Sequence, residues 1–298
     1  MTLLRGLFIG LAVAGYARTI EGQARSARND TLQAPGTQYR AGGLHRFFLG
    51  KEYRSLWSTP ITVPVLDLGR YAGGLRPISK GGGKQTKSLL LAASDGRQFF
   101  FRAVDKDASV LLPPELRSTV AGRVVRDQTS SAFPTAPSVV ARLLDAAGIP
   151  HADEQLFVLP RNAQLGEFQD EFGGLMGFLQ ERIGGADGPP SRWGGATEII
   201  GSDTLLARVD QSPDDRVDAR AFLTARLFDV LIGDWDRHRD QWVWIRFGEA
   251  TPRRWKPVPR DRDQAFAKYD GFLFYFARQT APQLTNFGEA YPYMPGAI

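Results

Sequence analysis

The chain has 298 residues, a formal charge of +5, no cysteine and three histidines. That length can bury the core of one large domain or of two lobes. The absence of cysteine excludes a disulfide scaffold, a thiolate nucleophile and a cysteine zinc site. His45, His151 and His238 are too scattered for a histidine metal cage, and the basic excess is spread along the chain, which points away from nucleic acid.

In chain order, residues 1–17 carry one arginine, an apolar run from Leu7 to Gly15 and a small-residue site before Arg18. This is the pattern of a short secretory signal, and the run is too short to span a bilayer as a helix. The expected location is therefore extracytoplasmic, in the periplasm or outer membrane, and cytoplasmic if the segment is instead an apolar helix. Residues 18–45 are polar and read as a linker. Folded sequence is expected from Phe47, with a strand in STPITVPVLDL and two more around an Asp95-Gly96 turn. Three glycines precede that hairpin. Gly82 and Gly83 let backbone N–H groups approach an anion, and Lys84 and Lys87 add positive charge; a plain surface turn is the competing reading.

Helical periodicity follows in PELRSTVAGRVVRDQ and in PSVVARLLDAAG, where Gly148 suits a C-cap. QLFVLP and GGLMGFLQERI read as strands. A Pro- and Gly-rich stretch at 189–201 suggests a boundary between a unit at 46–188 and one at 189–298. Beyond it, SPDDRVDARAFLTARLFDVLIGD has Ser212 as N-cap and Pro213 at the first helical position, with an apolar face that predicts a buried helix to Ile232. WVWIRF and RWKPVP then form a hairpin.

That hairpin places Asp236, just after a helix, beside Asp261 and Asp263, just after a strand. Two carboxylate loops so joined suit phosphoryl transfer, one acid orienting a hydroxyl and another holding a divalent metal on phosphates. The alternatives are an ion-pair network with Arg237, Arg239, Arg260 and Arg262, and a carboxylate-pair hydrolase that leaves the glycine loop without a role.

IGDWDRHRDQW followed by PVPRDRDQAF resembles the catalytic and metal-binding loops of the atypical kinases: the phosphatidylinositol 3- and 4-kinases, the secretory-pathway casein kinases and the HipA-like kinases. The resemblance covers roughly residues 75–270. It implies an α+β, bilobal protein-kinase-like fold, with a small β-rich N-lobe at 46–188 and a mainly helical, truncated C-lobe at 189–298 carrying a catalytic β-hairpin. It implies ATP and Mg²⁺ or Mn²⁺ as cofactors, and a protein, lipid or small-molecule hydroxyl acceptor. Asp236 would be the base, His238 a loop-stabilising residue, and Asp261 or Asp263 the metal ligand. Gln241 stands where lipid kinases carry a metal-binding Asn. Arg102 holds the usual phosphate-binding lysine position, with Lys106 four residues on, and Glu115 or Asp127 would be the acidic partner on the N-lobe helix. The N-terminal segment also resembles those that precede outer-membrane β-barrels in larger bacterial proteins, which implies association with such a barrel. The alternative function is a catalytically inactive, pseudokinase-like binding module of an envelope protein.

Overall fold

The computed structural model describes residues 29–81, 86–184 and 193–289. The architecture is mixed α+β. The first part of the chain runs β1 (Asp30–Gln33), α1 (Gly43–Leu49), α2 (Arg54–Ser58), β2 (Ile61–Pro64), β3 (Leu75–Lys80), β4 (Thr86–Ala93) and β5 (Gln98–Lys106). It continues through α3 (Pro114–Arg117), α4 (Val120–Asp127), α5 (Ala136–Ala147), β6 (Glu154–Val158), α6 (Gln169–Phe172) and β7 (Met176–Glu181). The remainder is β8 (Glu198–Gly201), α7 (Ser202–Gln211), β9 (Asp215–Val217), α8 (Ala219–Ile232), β10 (Trp242–Arg246), β11 (Arg253–Pro259) and α9 (Phe272–Ala277).

Strands β3, β4, β5, β7 and β6 lie in that order in one antiparallel sheet. The alternation in β5, QFFFRAVDK, explains how the sheet is used. Phe99 and Phe101 join Leu89, Leu91 and Leu179 on an apolar face, covered by Leu66, Leu68, Leu165 and Phe172. Burying each such side chain is worth about 1.5–3 kcal/mol. On the opposite side, Arg102, Lys106, Gln180 and Glu154 line a cleft. One strand thus supplies both a core face and a charged face.

The second sheet has the order β8, β10, β11, β9. Its β10–β11 hairpin pairs Trp242 with Pro259 and Ile245 with Lys256. Trp242, Trp244 and Trp255 pack with Leu205 of α7, Ala225 and Phe228 of α8, and Val140 and Leu144 of α5. Helix α5, assigned by sequence to the first unit, therefore buries its apolar face in the second core. Gly148 is its left-handed C-cap, as its position predicts.

Several expectations are corrected. Residues 29–45 are structured rather than a linker, because β1 pairs with β2 and Tyr39 packs edge-on against Trp57. The predicted helix from Ser212 begins instead at Ala219, and the Asp218 carboxylate accepts the Ala221 N–H as N-cap. Residues 215–217 leave the helical pattern to pair in parallel with β11. Nor is α8 fully buried, since Leu223, Leu227 and Leu231 are exposed. The second half joins helices α7, α8 and α9 to a four-stranded sheet. The signal-like segment 1–17 lies outside the described residues. No helix among the described residues is long and apolar enough to cross a membrane.

Candidate active site

Helix α8 stops at Gly233, whose φ of +68° suits glycine, and its end hands the chain to the Asp234–His238 loop. One side chain organises this loop. Arg237 is 1% exposed, and its Nε donates to Asp229 Oδ2 at 3.2 Å while Nη2 donates to Asp234 Oδ2 at 2.6 Å. The same guanidinium donates to the Arg260 carbonyl and, at 3.1 Å, to the Asp261 carbonyl. It therefore ties the end of α8 to the loop after β11. The hairpin register and an Arg260 N–H to Gln241 carbonyl bond of 2.8 Å close the same ring. Asp261 itself sits at φ +57°, a conformation that Asp tolerates better than most residues.

The charged face of the first sheet meets this loop. Lys106 Nζ donates to Asp263 Oδ2 and lies 4.0 Å from Asp261 Oδ1. Thr129 Oγ1 donates to the Lys106 carbonyl at 2.9 Å, pinning the end of β5 to the segment after α4. Between these parts opens a cleft of about 320 Å³, lined by Arg102, Lys106, Glu154, Gln180, Asp261 and Asp263 at its polar side. Trp57, Val104, Phe133 and Phe178 contribute apolar wall. A volume of this order lies at the small end of ligand-binding clefts.

Electrostatics separate two kinds of acid here. Asp229 and Asp234 are buried against Arg226, Arg237 and Arg262. Of the acids that border Lys106, Asp261 and Asp263 share that one lysine as ion-pair partner. Burial, and then the Asp261 charge, raise Glu154 to about 7, against the pull of Arg262, Arg102 and Lys106. Burial is also the main cause that raises Asp236, with His238 opposing and Asp261 adding to it. Asp261 and Asp263 titrate as a pair. Burial would raise Asp261, but Lys106 and Arg102 outweigh it and hold this carboxylate well below the usual range. The second proton of the pair is retained above that range, because burial and the neighbouring Asp261 charge act together on Asp263. Burial lowers the Lys106 pKa, but Asp263 and Asp261 outweigh it and raise the ammonium above its ordinary value.

The sequence-derived candidates divide accordingly. Asp261, Asp263, Lys106 and Arg102 meet at the cleft, and Asp236 sits on the loop that Arg237 clamps beside them. Arg102 makes a cation–π contact with Phe100 at 5.4 Å, whereas Lys106 makes the ion pair. His238, expected to stabilise the loop, is exposed with Asp240 at 3.8 Å, and the buried contacts that hold the loop are made by Arg237. Gln241, expected as a metal ligand, accepts through Oε1 from Arg237 Nη1 at 3.2 Å and so helps to latch the loop. Lys87 is exposed and shares the strand parity of Leu89 and Leu91, opposite to Ser88, the partner of Arg102. It does not face the cleft. Gly82, Gly83 and Lys84 lie outside the described residues. Asp127 is taken by Arg54 at 2.6 Å and His45 at 2.9 Å, and Glu115 stands in the first turn of α3, exposed, so neither pairs with Lys106.

Sequence reasoning missed Glu154 and the clamping role of Arg237. Glu154 opens a strand otherwise read as apolar, and a charged residue at a core-strand position is the signal that could have found it. No comparable signal marks Arg237 among its neighbouring arginines.

Among the described residues no three acids or histidines are grouped as a preformed metal cage. The donor set nevertheless suits a hard cation. Mg²⁺ is held by one or two carboxylates with water and phosphate oxygens completing its shell, and Asp261 with Asp263 supply that number. The chain matches no protein-family profile and no curated protein.

Proposed function

We propose that the chain is an ATP-dependent phosphotransferase of atypical-kinase type, bilobal about the cleft, acting on a hydroxyl acceptor. The observation that supports this best is the meeting of Lys106 with Asp261 and Asp263 beside the clamped Asp236 loop. In this reading Asp261 and Asp263 hold Mg²⁺ or Mn²⁺, which would neutralise phosphate charge and fix its orientation. Lys106 and Arg102 stabilise phosphate oxygens. Asp236, whose raised proton affinity suits a base more than that of an ordinary surface aspartate, accepts the hydroxyl proton.

A second reading, a pseudokinase-like binding module, draws on the same contact, because Lys106 occupies an oxygen of Asp263 that a metal would use. Single-turnover phosphotransfer, or ATP hydrolysis where no acceptor is supplied, separates the two. Asp236→Asn should retain nucleotide binding and lower turnover by roughly 100-fold or more. Nucleotide binding with no turnover in the wild-type chain would favour the binding module. Equal turnover in wild type and variant would remove Asp236 from the reaction.

A further inference from the structure

Away from the cleft, two short helices present aromatic side chains to solvent. Leu44, Phe47 and Phe48 of α1 lie beside Phe272, Tyr275 and Phe276 of α9, with Phe47 59%, Tyr275 64% and Phe276 56% exposed. The cluster is built rather than frayed. Phe47 stacks on Phe272 with centroids 5.6 Å apart, and Phe272 meets Phe276 edge-on at 5.4 Å. Two glycines allow the helices to approach so closely. A Cβ on Gly271 would stand 2.5 Å from the Gly50 nitrogen and 2.6 Å from the Phe48 carbonyl oxygen, and one on Gly50 would stand 2.6 Å from Asp270 Oδ1. The Glu52 N–H to Asp270 bond of 3.0 Å locks the same junction.

Around the cluster two unpaired cations face one exposed carboxylate, Asp270. Arg46 and Lys51 are exposed with no acidic partner among the described residues, and of the nearby acids Asp127 is taken by Arg54 and His45. Glu52 is in contact with Arg54 and Ser130, and burial raises it to about 8, which leaves Asp270 as the exposed carboxylate. None of the six aromatic or leucine side chains lines the cleft. A peptide or small ligand calls for a concave site, whereas an interfacial anchor needs exposed aromatic rings with flanking cations.

We propose that the α1–α9 surface is a membrane-docking face that inserts its aromatic side chains into the headgroup region of an anionic bilayer. Arg46 and Lys51 contact lipid phosphates, and the glycine-locked junction holds the rings ready in one orientation. Phe274 of α9 turns to the cleft, but none of the residues on which the docking face rests is used in the phosphotransfer reading, so the proposal stands or falls apart from that reading.

Because the chain has no cysteine, Leu273→Cys labelled with nitrobenzoxadiazole in the full chain reports on this face alone, separately from the apolar run near the N-terminus. Vesicles of phosphatidylcholine with phosphatidylglycerol should shift its emission to the blue and intensify it. Lipid-borne quenchers should then reduce it. Arg46→Gln and Lys51→Gln should each weaken binding roughly fivefold. Phe47→Ser with Phe276→Ser, both at exposed positions, should abolish the shift. An unchanged emission with every vesicle would overturn the proposal. So would a blue-shifted emission before vesicles are added: dependence on protein concentration would assign the face to a protein partner or second copy, and independence would assign it to a segment of the chain itself.

Discussion

Two groups of carboxylates flank the same hairpin, and they are treated differently. Asp229 and Asp234 are 0% and 2% exposed, and three arginines meet them. Lys106 acts on Asp236, Asp261, Asp263 and Glu154, and Arg102 on Asp261 and Glu154. Three of the four hold protons more tightly than an isolated acid would, as Asp234 also does, but among the described residues only Asp261 and Asp263 have an ion-pair partner, the single Lys106. The first group is matched within the fold. The second has more carboxylates than closely paired cations beside a cleft, an arrangement that costs stability and that a bound cation would relieve. The ion-pair network that competes on spacing with a phosphoryl-transfer site is therefore present, and it is made of aspartates other than those the proposed site would use.

The sharpest way to break this comparison is to remove the clamp. Arg237→Ala leaves Asp229 and Asp234 buried with fewer partners, and urea unfolding should show a loss of about 3–5 kcal/mol. Asp229→Asn should be similarly damaging, because it strands Arg262. Asp236→Asn, by contrast, should leave the urea midpoint unchanged or raise it, since it removes a half-buried charge whose proton affinity burial has raised. If both groups cost equally, the division into matched and unmatched acids is wrong.

Acidity sharpens the same distinction with a smaller effect. Glu154 near 7, Asp234 near 7 and Glu52 near 8 are all raised above their unfolded values, burial being the leading cause in each. A folded state that binds protons more tightly gains stability as pH falls from the folded value toward the unfolded one, so the thermal midpoint should rise between pH 8 and pH 5. The opposite sign applies lower down. Asp215, held near 2 chiefly by its bond from Arg253, contributes stability above its unfolded value that is lost as pH falls below about 4. Thermal scans across this range should therefore peak on the acid side of neutrality. A midpoint that falls steadily from pH 8 to pH 5 would contradict the raised values.

Much of this arrangement is legible from the sequence. Alternation in β5 and the turn residues at Asp95-Gly96 predict a hairpin, and Trp242 to Arg246 facing Arg253 to Pro259 is a pairing that apolar alternation makes visible. The adjacency of Asp236, Asp261 and Asp263 follows from that hairpin alone. Partner choice does not follow. Which arginine turns inward depends on long-range burial, so Arg237 and Arg262 are buried while Arg239 is exposed, from near-identical local sequence. The start of α8 misleads for a related reason: Ser212-Pro213 offers good local capping chemistry, but pairing of β9 with β11 claims the residues between. Capping gives the smallest test. Asp218→Ala should cost about 1 kcal/mol of stability, and Ser212→Ala clearly less, by thermal or urea unfolding.

The central claim is that the unmatched carboxylates await a metal-bound nucleotide. Thermal unfolding with ATP and Mg²⁺ or Mn²⁺, compared with each component alone, tests it most directly. At 100 times the dissociation constant, binding adds about 2.7 kcal/mol to the folded state. The account predicts a shift that requires both metal and ATP and vanishes when Asp261 and Asp263 are both replaced by Ala in a chain that remains folded. No shift in the wild-type chain, or one that persists in the double variant, would contradict it.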